Sequence, residues 1–227
     1  MIKENLAKIQ ATIPQGVTLI AVSKFHPEEM IAEAYESGQR IFAESRENEF
    51  RQKVESLPKD IQWHFIGHLQ TNKVKYVVPY ASMIQSVDSE KLLDEIEKQM
   101  VKIGRDSIEV LLQLHVAQEE TKSGFSPTEI LSLLSSVDLQ QRWPHICFKG
   151  VMGMASFVDD QEQWRKEFRA IVACHQALIN GPLKQQGIDA EQFSVLSFGM
   201  SEDYPVAIQE GSNMVRVGTS IFGPRVY

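Results

Sequence analysis

Val17-Thr18-Leu19-Ile20-Ala21-Val22-Ser23-Lys24 is a largely apolar, β-branched run that ends on a lysine. With a helix signal behind it, a run of this length reads as a parallel strand buried on both faces. Lysine is almost never buried unless its charge or its amine is used. At the exit of such a strand the amine of Lys24 sits at the mouth of the core. Two readings stand on this strand alone. Lys24 marks the strand end and points into solvent, or it is desolvated, loses part of its proton affinity and becomes a nucleophile able to form a Schiff base with an aldehyde.

The same alternation of strand and helix continues outward from this run. Strand patterns fall at Val17 to Lys24, Arg40 to Glu44, Gln62 to Gly67, Met83 to Val87, Ile108 to Val116, Cys147 to Gly153, Phe193 to Gly199 and Asn213 to Gly218. Helical spacing separates them: Met30, Ile31 and Ala34 after Pro27, then Leu92, Leu93, Ile96 and Met100 after Ser89. Trp164, Phe168, Ile171, Val172, His175, Leu178 and Ile179 hold that spacing over several turns. Ser126-Pro127-Thr128-Glu129 predicts a capping box with proline at the first helical position. Gly38 and Gly181 read as helix stops. A polar helix from Ile2 to about Thr12 precedes the first strand. Strict βα alternation implies parallel strands with helices outside them. The expectation is an α/β chain forming one domain over 1–227, a single-domain (β/α)8 TIM-type barrel with an extra N-terminal helix. An open doubly wound sheet is the alternative, but no G-x-G-x-x-G follows the first strand.

Composition narrows the function classes. The formal net charge of -7 argues against a general nucleic-acid binder, which needs a basic footprint. The opening MIKENLAKIQATIP has no apolar signal core, and no stretch is long and apolar enough to span a bilayer. A cytoplasmic protein with no membrane contact is the default expectation. Cys147 and Cys174 fit no zinc or redox spacing and read as small core residues of a reducing compartment.

In a barrel every strand ends at one mouth, where the active sites of this fold lie, with phosphate sites after strands seven and eight. There the chain reads Ser197-Phe198-Gly199-Met200-Ser201 and Gly218-Thr219-Ser220. Small residues let backbone N–H groups approach an anion, and hydroxyls add donors. Strand eight neighbours strand one, so an aldehyde on Lys24 and a phosphate at these loops can belong to one small ligand. Arg216 shares a strand face with Met214 and Gly218. Inside a barrel it needs an acceptor or an anion, supplied either by a structural ion pair or by a ligand. His64 and His68 flank Phe65-Ile66-Gly67 and read as a strand histidine and a loop histidine rather than metal ligands. Asn72 and Lys73 fall at a helix start on the same face. His115 reads as a core strand histidine, and Lys122-Ser123-Gly124 as a solvated loop. Met152, Met154 and Met200 near strand ends read as packing.

Five stretches, in this order and over nearly the whole chain, resemble the pyridoxal phosphate homeostasis protein family. They are Ala21-Val22-Ser23-Lys24, His64-Phe65-Ile66-Gly67-His68-Leu69-Gln70-Thr71-Asn72-Lys73, Glu119-Glu120-Thr121-Lys122-Ser123-Gly124, Leu196-Ser197-Phe198-Gly199-Met200-Ser201, and Val215-Arg216-Val217-Gly218-Thr219-Ser220-Ile221-Phe222-Gly223. The resemblance implies a barrel like the N-terminal domain of alanine racemase, with pyridoxal 5′-phosphate (PLP) held as a Schiff base on Lys24. It implies Arg216 near the pyridine nitrogen, and Ser197, Gly199, Ser201, Gly218 and Thr219 around the phosphate. The family usually reads Phe-Gly-Glu-Asn after strand two with a Gln-Glu pair following. This chain has Phe42-Ala43-Glu44-Ser45, then Asn48-Glu49, so Ser45 stands where an asparagine is expected near the cofactor ring.

The function expected from this resemblance is intracellular PLP (vitamin B6) homeostasis by a carrier without robust catalytic turnover, with no residue assigned a catalytic role. PLP and related B6 vitamers are the expected ligands, and apo-forms of PLP enzymes are candidate recipients. A monomer or weak dimer is expected. Two features of the sequence favour a carrier. The chain ends soon after strand eight, which leaves no second domain to supply a second base, and an arginine at the ring nitrogen weakens carbanion stabilisation. The alternatives are a PLP-dependent amino-acid racemase or weak lyase, a cofactor-free Schiff-base aldolase acting on a sugar phosphate, and a partner-binding protein in which PLP is structural. Lys73 and Lys122 are candidates for a second, weaker cofactor site.

Overall fold

The computed structural model describes residues 1–117 and 123–224. Eight parallel strands follow one another around a closed barrel in sequence order. They are β1 (Thr18–Val22), β2 (Ile41–Glu44), β3 (Gln62–Phe65), β4 (Met83–Val87), β5 (Ile108–Gln113), β6 (Ile146–Met152), β7 (Val195–Ser197) and β8 (Met214–Val217). The helices are α1 (Ile2–Thr12), α2 (Glu28–Glu36), α3 (Glu47–Ser56), α4 (Val74–Val77), α5 (Glu90–Ile103), α6 (Pro127–Ser136), α7 (Leu139–Arg142), α8 (Gln161–Leu178), α9 (Tyr204–Gln209) and α10 (Thr219–Phe222). This is the expected (β/α)8 architecture with α1 in front. Among the described residues no helix is long and apolar enough to cross a membrane.

Each strand buries both faces. Ala21, Phe42, Phe65, Ile84, Val110, Val151 and Val215 pack outward against the helices. Ile20, Val22, Ala43, Met83, Leu111, Met152 and Met214 pack together inside the barrel. Double burial is why the run through β1 shows no polar alternation. The capping box at α6 is formed: Ser126 Oγ accepts from Glu129 N at 3.2 Å, and Glu129 Oε2 accepts from Ser126 N at 2.8 Å.

The strand ends differ from the sequence expectation where loop partners take over the backbone. β5 stops at Gln113, because Phe125 N donates to Gln113 O and His115 N donates to Phe125 O. His115 is therefore a loop residue rather than a core strand histidine. At Gly181 the helical path breaks, with φ -109° and ψ -109°. The chain continues through an irregular turn over Ile179–Leu183, bent at Gly181 and Pro182. Cys174 is buried as expected, but Cys147 is exposed. It lies at the entry rim of β6, where strand alternation turns it away from the side on which Ile146 and Phe148 pack.

A polar chain crosses the barrel interior. Gln85 Nε2 lies 2.8 Å from His64 Nδ1, Ser197 Oγ donates to Gln85 Oε1 at 2.7 Å, and Arg216 Nη1 donates to Ser197 Oγ at 2.7 Å. All four residues are buried. Burial pushes the His64 imidazole down to about 4, so it is neutral in the fold, with Nδ1 accepting from the amide.

Two outcomes follow. Ile20 is fully buried inside the barrel and pairs with Arg216 across the closing ladder. Ile20→Ala should cost about 2–5 kcal/mol in urea unfolding, from lost transfer energy and the void left behind. The second concerns acid. An unfolded chain protonates histidine near pH 6.5, well before the folded His64 does. His64 thus contributes stability above pH 6.5 that is lost as pH falls toward 4, on the order of 3 kcal/mol in all. Glu44 acts with opposite sign. Burial pushes its carboxyl up to about 7 against the lowering effect of Lys53. Its contribution is present below pH 4.5 and is lost as pH rises through 7. His64→Gln removes one side of this balance. Relative to wild type it should gain on the order of 1–2 kcal/mol in unfolding free energy between pH 6.5 and pH 5. Parallel pH dependence in the two proteins would refute a neutral buried His64.

Candidate functional site at the barrel mouth

β1 pairs with β8 in register, Thr18 with Met214, Ile20 with Arg216 and Ala21 with Val217. Alternation then carries Ile20, Val22 and Lys24 up one face beside Met214, Arg216 and Gly218. The approach is close at Gly218: an added Cβ would sit 3.0 Å from Val22 O, so a side chain here would push the two strand ends apart. Beyond Val22 the chain turns sharply, and Phe25 takes φ +65°. A bulky residue in this left-handed region is uncommon and is held there by its surroundings.

Lys24, Ser201, Arg216, Gly218 and Thr219 line one cavity of 190 Å³ at the mouth. Arg216 is buried at its floor. Nη1 donates to Ser197 O at 2.8 Å and to Ser197 Oγ, and Nη2 donates to Gly153 O at 2.9 Å. Three of its five side-chain N–H groups are thereby matched, leaving Nε–H and one Nη2–H for an acceptor in the cavity. Burial pushes the guanidinium down to about 10, with the Asp203 charge opposing the shift, so it is protonated at neutral pH. Ser201 Oγ accepts from Gly218 N at 3.2 Å, which leaves its O–H to donate. Asp203 Oδ1 accepts from Met200 N and shapes the turn before α9.

Three expected site residues do not line the cavity. Ser197 is fully buried below it, bonded to Gln85 and Arg216, and so supports the arginine instead of facing an anion. Gly199 serves through its backbone. Its φ is +99°, a Cβ would meet Ala207 Cβ at 2.6 Å, and its carbonyl accepts from Arg216 N at 2.9 Å. Ser45 is half-buried just past β2, outside the lining. Lys73 is engaged by Glu47, and Lys122 lies outside the described residues. His68 Nδ1 stands 3.0 Å from Asp88 Oδ2. Among the described residues no group of three His, Cys, Asp or Glu side chains could hold a metal ion.

The cavity wall also holds residues that sequence reasoning missed or assigned to packing. Met152, Met154 and Met200 line it, as do Ile66, His26 and Trp164. Trp164 carried a signal in its helical spacing, but only the docking of α8 shows that it reaches the mouth. His26 follows Lys24 by two residues and stacks on Phe222 at 5.2 Å.

Behind Lys24 lies a buried ionic cluster. Lys53 Nζ of α3 donates to Ser23 O at 2.9 Å and to Glu44 Oε1 at 2.8 Å, and stands 3.8 Å from Glu49 Oε1. Ser23 Oγ donates to Glu44 Oε1 at 2.6 Å, and Phe25 N donates to Glu49 Oε1 at 3.0 Å. The Lys53 and Glu44 side chains are 5% and 0% exposed, so neither charge is screened by water. Burial raises the affinity of Glu44 for a proton, and the neighbouring Glu49 charge adds to it, against the lowering effect of Lys53 and Ser23.

An amine, a guanidinium with unmatched N–H groups and a ring of hydroxyl and small-residue backbone donors make a chemically coherent set. They suit a ligand with a carbonyl carbon, an acceptor nitrogen and an anionic group. Comparison with known proteins points the same way. The sequence matches the family described as alanine racemase, N-terminal domain, over residues 1–226. It is 35% identical over 239 residues to the pyridoxal phosphate homeostasis protein of Pasteurella multocida, covering 100% of this chain and 98% of that one. The fold superposes on PipY of Synechococcus elongatus solved with PLP bound, at TM-score 0.82 and 31% identity, covering 98% of this chain and all of that one. Alanine racemase from E. faecalis shares the fold at TM-score 0.71 and 18% identity, with 98% of this chain matching 57% of the enzyme. The chain thus belongs to the alanine racemase N-terminal domain family, among the pyridoxal phosphate homeostasis proteins.

Proposed function

We propose that this protein binds PLP and related B6 vitamers at the barrel mouth, holds PLP through Lys24, and serves intracellular vitamin B6 homeostasis as a carrier rather than through robust turnover. The observation that carries this reading is the convergence of Lys24, Arg216, Gly218 and the Ser201 and Thr219 hydroxyls on one cavity in a chain of this family. When bound, PLP supplies an aldehyde that condenses with an amine with loss of one water, a ring nitrogen that accepts a hydrogen bond, and a phosphate.

Lys24 is the amine. Arg216 would donate one of its two unmatched N–H groups to the ring nitrogen. Because the guanidinium keeps its protons, the ring nitrogen keeps its lone pair. That makes the ring a poorer electron sink and favours storage over carbanion chemistry. The Ser201 O–H and the Thr219 hydroxyl would hold the phosphate, with the Gly218 N–H fixing the Ser201 hydroxyl from behind. Ser197 and Gly199 act one layer below, fixing Arg216 through its guanidinium and its backbone N–H. Apo-forms of PLP enzymes are the recipients this role requires, and the cytoplasm is where they would be met.

Incubation with PLP should produce a visible absorption band. Borohydride followed by peptide mapping should place the pyridoxyl mass on Lys24, and Lys24→Ala should lose both. Adducts spread over surface lysines would sink the assignment. Amino-acid racemisation or elimination should not exceed that of Lys24→Ala. Measurable excess would favour the racemase or lyase reading instead.

A further inference from the structure

We infer that the cluster of buried Ser23, Glu44 and Lys53 with half-buried Glu49 is a positioning device that clamps the backbone on both sides of Lys24 and sets how well its amine meets an aldehyde. The inference rests on the reading of Lys24 as the PLP lysine.

The clamp grips three points of one short turn. Lys53 Nζ holds the carbonyl of Ser23, the residue before Lys24. Glu44 holds the Ser23 hydroxyl. Glu49 holds the N–H of Phe25, the residue after Lys24. Lys53 ties the two carboxylates together at 2.8 and 3.8 Å. Helix α3 thus reaches under the β1 exit and fastens it to the end of β2.

The conformation it fastens needs fastening. Phe25 sits at φ +65°, which a side chain of its size does not choose unaided. Glu49 bonds the strained residue itself, and the Arg46 guanidinium covers the Phe25 ring at 4.5 Å. Without the clamp the turn can relax to ordinary φ values and carry the Lys24 side chain away from Arg216. None of the four cluster residues lines the cavity, so their effect on a ligand passes through Lys24.

This indirect action can be separated from a merely structural one. Wild type and Lys53→Met are titrated with PLP and with 4-deoxypyridoxine 5′-phosphate, which keeps the ring and phosphate but lacks the aldehyde. Lys53→Met should weaken PLP about tenfold, the strain of one left-handed residue expressed as an equilibrium constant. The deoxy analogue should stay within about twofold, since it makes no bond to Lys24. Equal weakening of both ligands, or no change in either, overturns the positioning role. Glu49→Ala should behave as Lys53→Met does. Glu49→Gln keeps an acceptor oxygen for Phe25 N and should recover most of the PLP affinity that Glu49→Ala loses. Failure of that rescue overturns the part given to Glu49. If circular dichroism shows Lys53→Met unfolded, Ser23→Ala and Glu49→Ala carry the same two-ligand comparison. Absence of a wild-type adduct on Lys24 is seen before any variant is made, and overturns the cofactor reading and this inference together.

Discussion

Closure of β1 against β8 is the interaction on which the rest of this structure depends. Parallel strands need partners on both sides, and the ladder from Thr18–Met214 to Ala21–Val217 removes the last two edges. Because the pairing is parallel, both strands leave the barrel at the same rim. Lys24 from one end of the chain is thereby set above Arg216 and beside Gly218 from the other. No local interaction in the sequence could do this, and no cavity at the mouth would exist without it. Gly218 matters to the closure, since an added Cβ would stand 3.0 Å from Val22 O and the strand ends would have to give way.

The barrel pays for its polarity in two ways. Arg216 is buried among carbonyl and hydroxyl acceptors, with Asp203 near enough to support its charge. Its environment is dipolar, which leaves part of the guanidinium uncommitted and available. Lys53 is buried between the Ser23 carbonyl and the Glu44 carboxyl, with Glu49 at 3.8 Å, and is turned inward away from the cavity. A buried pair of that kind is costly to break, because the remaining charge has no water to turn to. The first arrangement suits a group that meets a ligand. The second suits a group that holds backbone.

The interior chain from His64 through Gln85 and Ser197 links these features to the middle of the barrel. Each member satisfies the next, so a polar file runs through an otherwise apolar layer of Ile20, Met83, Leu111 and Met214 without an unpaired amide. Ser197 stands at its turning point, accepting from Arg216 and donating to Gln85. A hydroxyl so occupied serves the guanidinium, whereas the Ser201 and Thr219 side chains stand on the cavity wall.

The alternation of β-branched runs with helical spacing settled the barrel, because a strand buried on both faces reads as an unbroken apolar run and each outer helix must show one apolar stripe. Lys24 and Arg216 were legible for a related reason: charge inside such runs violates the pattern, and the violation marks a use. Capping at Ser126 was legible because it is local. What tertiary structure alone decided was which residues of the loops face the cavity. Ser197 and Ser201 look alike in sequence, yet one is sealed beneath Arg216 and the other lines the mouth, since strand alternation continues through the first and a turn redirects the second. Nothing local in the sequence marks Lys53, and Glu49 stands out only in the Asn48-Glu49 pair. Only the packing of α3 beneath the β1 exit buries Lys53 and brings both onto Ser23 and Phe25, because burial and partnership across distant segments are properties of the closed barrel and not of any stretch of chain.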